Sequence, residues 1–116
     1  MEWDEVLRKE LIGRQLLIFE SGECFCGHIS KIEKLDDGKK VRFHMEWTAV
    51  QIGDRWRRWR TTDVSVLTGI STPELQENGD ILFTAPPLFT ATIVARNCRV
   101  IQLQDVEGGH SQVSPL

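Results

Sequence analysis

The chain has 116 residues and a mass of 13.3 kDa, enough to bury about two-thirds of its unfolded surface in one core but too little for two. With 41% hydrophobic residues and a net charge of −3, disorder is excluded as a class, and an anionic contact, if any, is local. The longest apolar run in the first half is Leu16 to Phe19, and the N-terminus is acidic. Neither a membrane helix nor a secretory leader is expected.

Trp3, Val6, Leu7 and Leu11 recur at helical spacing, with acids early, Arg8 and Lys9 late, Gly13 as a stop and Asp4 as a candidate cap. One amphipathic N-terminal helix is expected. Strands and turns follow. Gln15 to Glu20 leads into Ser21-Gly22, and Cys24 to Leu35 into Asp36-Asp37-Gly38-Lys39. Val41 to Ile52 meets Gly53-Asp54, after which Arg55 to Leu67 forms one further strand. Such connections make neighbouring strands antiparallel hairpin partners. Beyond Gly69, Ser71-Thr72-Pro73-Glu74 reads as a capped helical turn, or Asn78-Gly79 turns a hairpin ending in Ile81 to Ala85. Pro86-Pro87 ends that strand, and Leu88 to Ala95 with Cys98 to Val106 reads as a last hairpin across Arg96-Asn97.

The expected fold is mainly β: an antiparallel meander of about seven strands forming a small barrel or strongly curved sheet behind one helix. The alternative is an α+β open sheet. Residues 1–106 make a single domain and 107–116 a flexible tail.

Val41, Phe43, Met45, Trp47 and Ala49 alternate with Arg42, His44, Glu46 and Thr48, so the first set faces the core. A two-residue turn at Asp37-Gly38 places Ile32 opposite Phe43 and Glu33 opposite Arg42. Pairing Ile52 with Arg55 places Ala49 opposite Arg58 and Trp47 opposite Arg60. Trp56, Arg58, Arg60, Thr62, Val64 and Val66 then share the face of Phe43 and Trp47.

Residues 39–60 hold seven Lys or Arg against two acids, whereas 61–116 hold two arginines against six acids. Trp47, Trp56, Arg58 and Arg60 are the candidate ligand-binding residues, because guanidinium groups stack on indoles and pair with carboxylate or phosphate. The bland alternative is a strand end whose arginine stems cover the indoles. The run Arg55-Trp56-Arg57-Arg58-Trp59-Arg60 also fits nucleic acid. Trp56 and Trp59 point to opposite faces, however, which prevents a common stacking platform and argues against that partner.

Cys24, Cys26 and His28 share one face, but zinc sites use wider cysteine pairs and no fourth ligand is evident. No metal or cofactor is expected. Ile29 and Ile32 can both face the core only through a bulge near Ser30-Lys31, which turns the Cys24-Cys26-His28 face the other way. The three cysteines fit a reduced, cytoplasmic chain. CxxC, Walker, GxGxxG, HExxH and GxSxG patterns are all absent. The leading expectation is a non-catalytic module binding a small anionic or aromatic ligand. An adaptor for nucleic acid or acidic protein, and a small enzyme using a Cys or His, are the alternatives. Apolar residues left over on the second face of the meander (Val50, Ile52, Trp59, Leu67), and a last hairpin in which Val94, Ile101 and Leu103 oppose Ile93, Val100 and Phe89 whichever side is interior, lead to an expected dimer or tetramer.

Overall fold

The computed structural model describes residues 5–38, 40–67, 72–84 and 91–107. Trp3, Asp4, Ser71, Pro86, Pro87, Leu88, Phe89 and the segment 108–116, all used in the sequence reading, lie outside them. Among the described residues one helix precedes nine strands. They are α1 (Glu5–Leu11), β1 (Gln15–Glu20), β2 (Glu23–Leu35), β3 (Lys40–Ile52), β4 (Arg55–Arg58) and β5 (Asp63–Leu67), then β6 (Thr72–Leu75), β7 (Ile81–Thr84), β8 (Thr92–Arg96) and β9 (Val106–Glu107). The fold is mainly β, with a mostly antiparallel sheet that is not closed, in the order β6-β7-β8-β1-β2-β3-β4-β9. No helix among the described residues is long and apolar enough to cross a membrane.

Leu7 and Leu11, four residues apart, are the buried side of α1, as one helical face requires. Val6 was expected on that stripe but is 72% exposed, because it stands one step off the 7/11 line. Gly13, at φ 92°, takes the left-handed turn that lets the chain reverse into β1.

The first three strands form the expected meander. Ser21 and Gly22 both have positive φ, the geometry of a two-residue hairpin turn. Ile32 pairs with Phe43 and Glu33 with Arg42, as the turn chemistry implies. The β2–β3 connection itself is longer than two residues: its last pair is Leu35 with Lys40, across a 3₁₀ turn at Asp36–Gly38.

At Ile29 the β2–β3 ladder shifts register twice. The Ile29 amide donates to the Arg14 carbonyl (2.9 Å), and its carbonyl accepts from the Gly13 amide (2.8 Å). These bonds tie the irregularity to the end of α1. The pairing sum is the same on both sides of it, so each strand gains one residue and each reverses its faces. Ile29, Ile32, Phe43 and Met45 consequently join Leu7, Leu11, Leu16, Ile81 and Phe83 in one core. Trp47, Ala49 and Cys26 join Leu17 and Val106 in another, on the opposite side of the sheet. The expectation that Phe43 and Trp47 share a face is therefore corrected. The bulge anticipated in β2 has a counterpart in β3, where Glu46 is left unpaired between Met45 and Trp47, and this second extra residue sends Trp47 with the cysteine face.

The second half departs from the expected strands. Arg55 to Leu67 is two strands, both on β3: β4 pairs with Ala49–Ile52 and β5 with Lys40–His44. Between them the buried Thr48 hydroxyl reaches the carbonyls of Trp59 and Thr61. That satisfies groups which regular pairing would otherwise serve. Thr72–Leu75 is a strand, not a helical turn, and Pro73 sits there on an edge of the sheet, where a missing N–H is tolerated. The last hairpin does not form. β8 pairs with β1 and β7, while the chain after it crosses the second face and ends as β9, parallel to β4.

Asp80, 7% exposed, anchors the β6–β7 turn to the end of β8. Its carboxylate accepts from the Asn97 amide (2.7 Å) and the Asn78 side chain (3.1 Å). Arg96 Nε lies 3.1 Å away as an ion pair without hydrogen-bond geometry.

Candidate functional site

The four residues singled out from sequence do not surround one concavity. Trp47 is 4% exposed, and Trp56 is half-buried against the same cluster beneath Val100, Ile101 and Val106. Arg58, opposite Ala49, and Arg60 are exposed. The cation beside Trp47 is instead Arg99, in a cleft of about 200 Å³ shared with Gln15, His28, Glu46 and Ile101. Ligand pockets usually run to about 300–1,000 Å³, so this cleft is small for one.

A larger cleft lies on the other face. It measures about 440 Å³ and its apolar wall comprises Ile18, Phe25, Met45, Trp59, Val64 and Ile93. Thr48, Thr61, Ser65 and Glu20 supply its polar atoms. Each side chain comes from a different local cause. Ile18 and Phe25 pair directly across β1–β2. Met45 lies over Gly27, where an added Cβ would approach its sulfur to 2.9 Å. Trp59 is placed by its amide, which donates to the Thr48 carbonyl at 2.8 Å. Its ring meets Phe25 edge-on at 5.1 Å and 62°, a favourable aromatic geometry. The indole is nevertheless 42% exposed. Sequence reasoning set Trp59 aside as the odd face of its strand. The signal was present, since the same alternation that buries Trp56 sends Trp59 to the side of Phe25.

Cys24 and Cys26 are sheltered rather than activated, while Cys98 is exposed. Burial, and then the neighbouring Cys24, push the Cys26 thiol up to about 12, and burial also raises Cys24. The Cys26 thiol donates to Gln15 Oε1 at 3.8 Å. His28 stacks on Trp47 at 6.1 Å and 17°. A nucleophile needs the thiolate and a base to make it, and Cys26 is held as the thiol. Among the described residues no group of three or more His, Cys, Asp or Glu side chains is arranged to hold a metal ion.

His44 has two carboxylate partners, which the sequence reading did not assign. Nε2 lies 2.9 Å from Glu33 Oε1 on β2, and Nδ1 lies 3.0 Å from Asp63 Oδ1 on β5. The hydrogen bond from His44 is the main cause that lowers the Glu33 carboxyl below its ordinary value; Lys31 and Arg42 add to it. This row bridges three strands and contains no hydroxyl or thiol for His44 to activate. Its chemistry is that of a clamp holding β5 on the sheet.

Comparison with protein-family models, with curated proteins and with solved structures finds no match for this chain.

Proposed function

We propose that the protein is a non-catalytic binding module that takes a small, flat aromatic anion in the Trp59 cleft. The observation that supports this reading is a half-open indole braced edge-on by Phe25 in an apolar wall of ligand-sized volume. Aromatic side chains offer large contact area at low entropic cost. The charged side chain that lines the cleft is Glu20. Arg57, which pairs with Val50 two residues before Trp59, shares the side of the strand outside that lining and is the cation proposed to meet an anionic substituent. The test is a fluorescence titration with anilinonaphthalene sulfonate, an aromatic anion. Trp59→Ala should weaken binding by about tenfold or more, equivalent to about 1.4 kcal/mol, while Trp56→Ala on the opposite face leaves it unchanged. Equal losses in the two variants, or none in Trp59→Ala, overturn the reading.

The module is proposed to work as a single chain. Oligomerisation was expected because apolar residues lacked cover; of these Ile101 packs within the chain against the second core, whereas Ile52, Trp59 and Leu103 stay exposed. The single-chain reading is supported instead by sheet edges guarded by Pro73 and by exposed arginines. A cytoplasmic setting stays part of the proposal on the strength of the free cysteines.

A further inference from the structure

The outer edge of the sheet beyond β9 combines two unusual features. The first is charge. Arg55, Arg57, Arg58 and Arg60 are all exposed within six residues. Arg55 is neutralised by Glu107 at 3.3 Å. Arg57, Arg58 and Arg60 have no ion-pair partner among the described residues. The second feature is open backbone. β9 covers β4 only at Trp56 and Arg57, and β5 pairs with β3 alone. Among the described residues, no strand pairs with the outer side of Arg58 to Leu67. The Met45 amide donates to the Thr62 carbonyl at 2.6 Å, and the β3–β5 register continues from that pair. Residues 62, 64 and 66 therefore turn their polar groups inward, while Asp63, Ser65 and Leu67 turn theirs outward.

An open edge invites another strand, and proteins commonly guard such edges with charge. Here the guard is cationic. It repels a second copy of the same edge and admits a strand of opposite sign. We propose that this edge docks an extended acidic peptide segment of a partner protein as an added antiparallel or parallel strand. The main chain pairs with β5, and carboxylates meet the free guanidinium groups of Arg58 and Arg60. A single-stranded nucleic acid fits less well. Trp56 is turned into the second core and Trp59 toward Phe25 on the other side, so no two rings offer a joint stacking surface.

The experiment is fluorescence anisotropy with the intact protein and a labelled peptide of about ten residues, enough to span the edge at about 3.3 Å per residue. Its sequence alternates Glu with Val or Thr. Binding is expected, with a loss of about tenfold or more in the double variant Arg58→Gln/Arg60→Gln. Because a surface variant also alters the general field, a second probe leaves the protein unchanged. A peptide N-methylated at alternate residues keeps the carboxylates but loses the strand's donors, and should not bind. Failure of the parent peptide to bind, or equal binding of the methylated one, overturns the proposal. So does tighter, steeply salt-sensitive binding of oligouridylate.

Discussion

The side-chain amide of Gln15 and the main chain of Ile101 bond in both directions: Oε1 accepts from the Ile101 amide at 3.1 Å, and Nε2 donates to the Ile101 carbonyl at 2.7 Å. Oε1 also accepts from the Val100 amide at 2.7 Å. One side chain, 2% exposed, thus does for this segment what a neighbouring strand does elsewhere. It holds Val100 and Ile101 over Cys26 and Trp47, and so closes the second face.

Gln15→Leu should therefore destabilise the protein by about 1–3 kcal/mol, the cost of leaving buried backbone groups unsatisfied. Chemical denaturation measures the loss, and the Cys26 thiol should label faster in the variant. In the parent chain the raised Cys26 value keeps the folded state protonated while the unfolded state ionises. Stability from this thiol is complete below its ordinary value of 9.0 and declines as pH rises toward about 12. Cys26→Ala should flatten that alkaline decline.

Phe43 is completely buried and meets Phe83 edge-on at 5.6 Å and 69°. Phe43→Ala should cost about 3–5 kcal/mol in a denaturant titration, the range for a phenylalanine whose cavity refills only partly. A change below about 1 kcal/mol would contradict the placement of Phe43 in the first core.

The Glu33–His44–Asp63 row predicts an acid-side effect. The Glu33 carboxyl is held below its ordinary 4.5. Its stabilising contribution is thus present above that value and is lost as pH falls through the lowered one. Glu33→Gln should reduce the fall in stability on acidification below about pH 4.5, and the NMR titration of Glu33 should shift upward in His44→Gln. An unchanged titration midpoint in His44→Gln would exclude His44 as the cause.

Sedimentation equilibrium at micromolar concentration should find a sole species near 13.3 kDa. Both described sheet edges are blunted, one by Pro73 and the other by the free arginines, and either device disfavours edge-to-edge pairing. A dimer or larger species would restore the association expected from sequence and shift attention to exposed Ile52, Leu75 and Leu103.

By itself the sequence determined the helix, the first three strands and the registers joining β2, β3 and β4. These depend on neighbours: period-two alternation sets the faces, and turn residues set which positions stand opposite. It even contained the His44 clamp. Pairing Ile52 with Arg55 and continuing in register brings Asp63 opposite His44, and Glu33, two residues from the Lys31 that pairs with His44, is its diagonal neighbour across the hairpin. The need for a bulge was also legible, because Ile29 and Ile32 compete for one face. Only the tertiary structure decided what lies beyond that reversal. β8 goes to the open edge of β1, Gln15 captures the segment at Ile101, and Trp47 becomes core while Trp59 lines the cleft. Those outcomes depend on unpaired backbone groups and buried amides finding partners up to 86 residues away in the chain, and no local pattern of polar and apolar residues specifies which distant segment will satisfy them.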